Sequence, residues 1–218
     1  YEYRVIFSRS DENGNLLNIN EQLTMRGSES DWIAHPDESV DLCVLPIGPA
    51  LNGFIRAGKH LLTIPLSLEL LPTDKQIQDM GCMDEVTMVG YPNGIWDEAN
   101  NLPIVRRGIT VTPYRYDYQG QKEFLVDMAC YPGSSGSPVF LYNEGTYLEN
   151  DAVVMGKTLY LLGILRAVPI RTLLGDITVS TIAHVSVQDM LNLGIVIKSE
   201  RLRDFDPIVR ERLSVSGN

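Results

Sequence analysis

The chain has 218 residues, with 18 Lys and Arg against 28 Asp and Glu, a net charge of −10. Hydrophobic residues make up 44% and charged residues 21%, which is enough apolar material for a core and excludes disorder as the main state. The acidic balance excludes nucleic acid as the main partner, because phosphate binding needs a basic face. No apolar run approaches the roughly 18 residues that a helical membrane span needs.

Taken in chain order, the sequence reads mostly as strand. Tyr1 to Ser8 sets Tyr1, Tyr3, Val5 and Phe7 on one side and Glu2, Arg4 and Ile6 on the other, the period of two of a half-buried strand. Asn13-Gly14 then marks a hairpin turn. Ser39 to Ile47 is an apolar run broken only by Asp41. Asp74 to Met80 predicts a short helix with Thr73 as N-cap. Strands follow at Glu85 to Tyr91 and Ile104 to Tyr114, then a turn through Gln119-Gly120 into Glu123 to Met128. Ser137 to Tyr142 and Thr158 to Ile170 are read as strands around an Asn143-Glu144-Gly145 turn. Ser199 to Leu213 predicts a C-terminal helix that Pro207 must begin or break. Many short strands with frequent turn signals imply a β-barrel or sandwich. A soft boundary falls between Leu71 and Asp84.

Three cysteines, Cys43, Cys82 and Cys130, lie far apart with no CxxC pair. That pattern reads as free thiols in a reducing compartment, so a cytoplasmic location is expected. The chain opens in strand without an initiator Met, so the start of the protein is expected upstream of Tyr1.

The most informative stretch is Asp127 to Phe140, DMACYPGSSGSPVF. Ser135 sits in a tight Gly133-Ser134-Ser135-Gly136 loop followed by Ser137-Pro138. Acyl transfer needs a protruding nucleophile and backbone N–H groups converging on an oxyanion. Gly133 lets the backbone turn so that its N–H can face a substrate, and the N–H of Ser135 would be the second donor. Taken alone, GSSG is more often a plain turn between strands.

The longer string resembles the nucleophile loop of trypsin-like serine peptidases, closest to bacterial members such as the HtrA-like group, in which an Asp precedes a Pro-Gly-x-Ser-Gly loop. Asp127 and Pro132 match that arrangement. Val40 to Ile47, VDLCVLPI, resembles the family's DLAVL segment, which assigns Asp41 as the acid of a Ser-His-Asp triad. A buried role for Asp41 is the expectation, since an acid in an apolar strand needs a partner. Met88 to Asp97 with Ile104 to Thr110, and Leu159 to Ala167, are weaker matches in the same order. The resemblance implies an all-β, chymotrypsin-like double antiparallel β-barrel with a short C-terminal helix and the site between the barrels. Residues 1–71 are expected to be the remainder of the N-terminal barrel, and 72–218 the C-terminal barrel plus helix.

The implied activity is serine endopeptidase cleavage of a protein or peptide substrate. Ser135 and Asp41 are the catalytic residues, and Gly133 and Ser135 form the oxyanion hole. Ala129, six residues before the nucleophile, is expected to floor a pocket for a small or apolar side chain. Arg166, Ala167 and Val168 are expected to pair with substrate as an added strand. The family's His precedes its Asp by several tens of residues, and only 40 residues precede Asp41. His35 is too close, His60 lacks context and His184 follows Ser135, so the catalytic His is expected upstream of Tyr1.

Two other readings stay open: a pseudopeptidase that binds peptides without turnover, and a structural barrel in which GSSGSP is only a turn. Gly156-Lys157-Thr158 echoes a phosphate loop, but Asp151 stands where its first glycine belongs. There is no GxSxG elbow, HExxH or clustered Cys/His spacing, so no metal and no cofactor are implied.

Overall fold

The computed structural model describes residues 2–149, 152–167, 170–177 and 183–215. The chain runs through β1 (Glu2–Ser10), β2 (Leu16–Arg26), β3 (Ile33–Ala34), β4 (Cys43–Val44), α1 (Gly48–Arg56) and α2 (Asp74–Asp79). It continues through β5 (Glu85–Gly90), β6 (Ile104–Thr110), β7 (Glu123–Asp127), β8 (Pro138–Glu149) and β9 (Ala152–Ala167). It closes with β10 (Ile170–Ile177), β11 (Ala183–Met190), β12 (Leu193–Lys198) and α3 (Phe205–Val215). Among the described residues no helix is long and apolar enough to cross a membrane.

The chain divides into two compact units that are each discontinuous in sequence. One comprises Tyr1–Leu68, Trp96–Pro103 and Glu200–Asn218; the other comprises Glu69–Ile95 and Ile104–Ser199.

In the first unit β1 and β2 form an antiparallel hairpin, with Glu2 opposite Arg26 and Ser8 opposite Asn20. Its turn is built as the sequence predicts. Asp11 Oδ1 accepts the N–H groups of Asn13 and Asn15, and Gly14 takes the positive φ of 82° that the turn demands. The sequence reading of Ser39 to Ile47 as one apolar strand is corrected. Only Cys43 and Val44 pair, opposite Ala34 and Ile33. The Leu42 N–H donates to Val40 O at 2.8 Å, a three-residue turn that puts Asp41 at its apex and breaks the run. Asp41 is exposed, against the expectation of burial.

The same unit is fastened by His35, whose side chain is fully buried. Its Nδ1 accepts the Asp37 N–H at 3.0 Å, so Nε2 is the ring nitrogen left to face the Asp204 carboxylate at 3.1 Å. Phe205 packs edge-on against the ring with centroids 5.2 Å apart.

In the second unit six strands close into a barrel in the order β12-β7-β6-β5-β8-β9, every neighbouring pair antiparallel. Alternation dictates its inside. Val86 and Met88 on β5 point inward while Glu85 does not, and Phe124, Val126, Val139 and Val196 join them in the core. The α2 helix begins with the predicted cap. Thr73 Oγ1 accepts from the Gln76 N–H, and Gln76 Oε1 accepts from the Thr73 N–H at 2.8 Å, a capping box. The expected turn at Asn143-Glu144-Gly145 is corrected: β8 runs through it, and its pairing with β9 continues to Glu149 opposite Ala152. Beyond β9, β10 and β11 form a separate two-stranded hairpin that periodicity did not single out.

Candidate active site

Ser135 lies on the connection between β7 and β8, where two tight turns follow one another. The Ser134 N–H donates to Tyr131 O at 3.0 Å, and the Ser137 N–H donates to Ser134 O at 3.0 Å. Each turn has a glycine with positive φ at its third position, Gly133 at 81° and Gly136 at 89°. That is where a type II turn needs residues without a Cβ. The GSSG spacing therefore produces the geometry directly.

The barrel holds this double turn from three sides. The turn after β5 supplies the Asn93 N–H to Pro132 O at 2.8 Å. A Cβ on Gly133 would lie 3.3 Å from that same Asn93 nitrogen, a tight contact, and the φ of 81° strains any residue other than glycine there. On β9, Leu165 O accepts from the Gly136 N–H at 2.8 Å, and the Leu165 N–H donates to Ser137 O at 2.9 Å. From β6, Arg106 Nη1 donates to Ala129 O at 2.7 Å and to Ser134 Oγ at 3.0 Å.

These bonds determine where the remaining amides point. In a trans peptide the C=O and N–H point in opposite directions. Pro132 O and Ser134 O are both tied down, so the N–H groups of Gly133 and Ser135 face the other way. From Pro132 to Ser137 these are the two N–H groups without an acceptor among the described residues. Gly133 and Ser135 are exposed, whereas Ser134 between them is completely buried.

The other predicted residues fare differently. Ala129 is exposed, with its carbonyl held by Arg106. Arg166 is half-buried and paired through Nη1 to Glu123 Oε1 at 2.6 Å, so its guanidinium is committed within the barrel. It also sits in a β-bulge, since β12 pairs Ile195 with Ala167 and Val196 with Leu165. Ala167 is the last residue of β9, and Val168 lies outside the described residues. Asp41 has no hydrogen-bond or ion-pair partner among the described residues. His60 is exposed, and His184 is the second residue of β11, opposite Asp176.

Sequence reasoning missed Arg106. Its signal was present: in IVRRGIT, period-two alternation puts one of two adjacent arginines on each face. Arg107 turns outward to Glu85 at 2.6 Å, and Arg106 turns in beneath the loop. Burial holds the Arg106 pKa below its ordinary value, opposed by the neighbouring Cys130 and Tyr131 groups. Cys130 is fully buried, which pushes its thiol up to about 11, with Arg106 opposing and Asp127 adding to the rise. The three cysteines are free thiols, with Cys43 and Cys82 exposed.

Comparison of the chain with protein-family models, with curated proteins and with solved structures finds no match.

Proposed function

We propose that the chain is the peptidase domain of a trypsin-like serine endopeptidase. The observation that carries the reading is the double turn: it exposes Ser135 and leaves the amides of Gly133 and Ser135 free of acceptors. A chymotrypsin-like double barrel is part of the same proposal, supported by the closed six-stranded barrel of the second unit.

In this mechanism Ser135 Oγ attacks a peptide carbonyl carbon, and an imidazole takes its proton. The carbonyl oxygen becomes an oxyanion that accepts hydrogen bonds from the Gly133 and Ser135 N–H groups. Collapse expels the amine, which takes the proton back from the imidazolium, and water then cleaves the acyl-enzyme by the same steps. Asp41 is assigned to orient the imidazole. His35 is buried against Asp204 and cannot serve as base. The imidazole is assigned to a segment preceding Tyr1.

A second reading is a peptide-binding module without turnover. It is favoured by the exposed Asp41 carboxylate, which has no partner among the described residues. Labelling of the full-length protein with a fluorophosphonate separates the two. The peptidase reading expects one adduct at Ser135, lost in Ser135→Ala and slowed about 10⁴-fold in Asp41→Asn, the order seen when a triad acid is amidated. A folded protein that takes no label supports the binding module.

A further inference from the structure

Arg106 is a half-buried cation on β6, placed opposite Met88 of β5 in the barrel ladder. It shares its face of β6 with the inward pair formed by Met88 on β5, which is fully buried. Only Nη1 finds acceptors. Nε and Nη2 are buried and have no hydrogen-bond partner among the described residues. A cation with two idle buried donors is a costly way to fill space, and an apolar side chain would fill it more cheaply. What the guanidinium does instead is grip the nucleophile loop at two points: Ala129 O before the double turn and Ser134 Oγ within it.

We infer that Arg106 is the positioning residue of the nucleophile loop, holding Ser134 inward so that the flanking amides of Gly133 and Ser135 stay aimed outward at an anion. The inference rests on the peptidase reading for its chemistry but not for its geometry. Ser134 is the residue shared by the two turns, closing the first with its N–H and the second with its carbonyl. Fixing its side chain therefore anchors the residue on which both turns close, beside the backbone bonds that hold Pro132 O and Ser134 O. Release of Ser134 leaves the two planes held by those backbone bonds alone, and Gly133 and Gly136 offer little steric resistance of their own.

The test compares Arg106→Met, Arg106→Lys and Ser134→Ala in the full-length protein, with thermal unfolding and fluorophosphonate kinetics split into the maximal labelling rate and the half-saturating concentration. Arg106→Met is expected to unfold at or above the wild-type temperature, since it removes two unsatisfied donors, yet to label about 10²-fold more slowly. Its half-saturating concentration is expected to stay within about twofold of wild type, because the defect lies in the transition state. Arg106→Lys, which keeps the charge but not the fork, should recover part of the rate. Adding Ser134→Ala to Arg106→Met should slow labelling no further, because both act through one contact. A folded Arg106→Met that labels at the wild-type rate overturns the inference. So does additive loss in the double variant, which also decides the matter if Arg106→Met does not fold but Arg106→Lys does, with Lys then paired to Ser134→Ala.

Failure of the peptidase reading is separable from failure of this one. If wild type takes no label, amide exchange in residues 131–137 is the readout. Release of the loop is expected to speed exchange of the Ser134 and Ser137 amides at least about tenfold in Arg106→Met. Unchanged exchange there overturns the positioning role whatever the protein does.

Discussion

At the scale of single residues, turn and cap geometry was legible and burial was not. Thr73 with Gln76 announces a capping box, and Gly133 and Gly136 occupy the two positions where turns need positive φ. These are local demands that a short window of sequence carries. Asp41 is the opposite case. An acid in an apolar run implies burial with a partner, but the chain turns sharply between Val40 and Leu42 and leaves it in solvent. Cys130 and Cys43 sit in equally apolar contexts, yet the first is completely buried and the second exposed. The difference follows from β4 being only two residues long, which no side-chain pattern reveals. It has a chemical consequence. A disulfide-exchange reagent at pH 8 should modify Cys43 and Cys82 quickly and Cys130 only on unfolding, which two fast and one slow equivalents would show. The folded Cys130 thiol titrates near 11 against an ordinary value of 9.0. Between those values the unfolded chain gives up a proton that the folded chain retains. Its contribution to stability is therefore whole below pH 9 and is lost as pH rises towards 11. Denaturant midpoints for wild type and Cys130→Ala should converge over that window.

At the scale of elements, β5, β6, β7 and the start of β8 were readable as short runs closed by turn signals, whereas β12, buried at its last three positions, was not singled out. The Gln119-Gly120 turn is an example: both residues take positive φ, 53° and 77°, as a two-residue hairpin requires. The α1 helix was invisible, since it opens on Gly48-Pro49 and carries Gly53 in its middle, residues that read as loop. The β8–β9 hairpin was cut short because Gly145 looks like a turn, whereas it pairs with Gly156 inside the ladder. One tertiary tie that no local pattern shows is Lys198 on β12. Its ammonium is nearly buried, 2.6 Å from Asp117 Oδ1 and 5.4 Å from the Tyr114 ring centroid. Burial alone would raise the Asp117 pKa, but Lys198 and Lys122 outweigh it and hold the carboxyl below 3.8. The stabilisation is present above that value and lost as pH falls through the folded pKa. Asp117→Asn should cost about 2 kcal/mol at pH 7, below the usual range for a buried pair because Asp117 is a third exposed. Chemical denaturation at pH 7 and pH 3 checks it: the gap between variant and wild type should shrink in acid.

At the scale of the whole molecule, the peptidase reading proposed above makes the net charge of −10 the term that sets how charged peptide substrates approach. Peptides flanked by Lys or Arg should be cleaved with a kcat/KM that falls as salt rises, and those flanked by Asp or Glu with one that climbs. The screening length shrinks from about 10 Å at 0.1 M to about 3 Å at 1 M, so the two series should converge in that range. Parallel salt curves would leave the acidic balance without a role in recognition. The interleaving of the two units has a different consequence, one of timing. The chain leaves the first unit at Leu68, returns for Trp96–Pro103, and comes back for good only at Glu200. The barrel can close as soon as β12 has been synthesised. The first unit cannot: the histidine at position 35 waits 169 residues for the carboxylate of Asp204. On the ribosome the later half therefore completes first. The opening segment stays an unfinished hairpin until α3, which follows every strand of the barrel in the chain, has been synthesised.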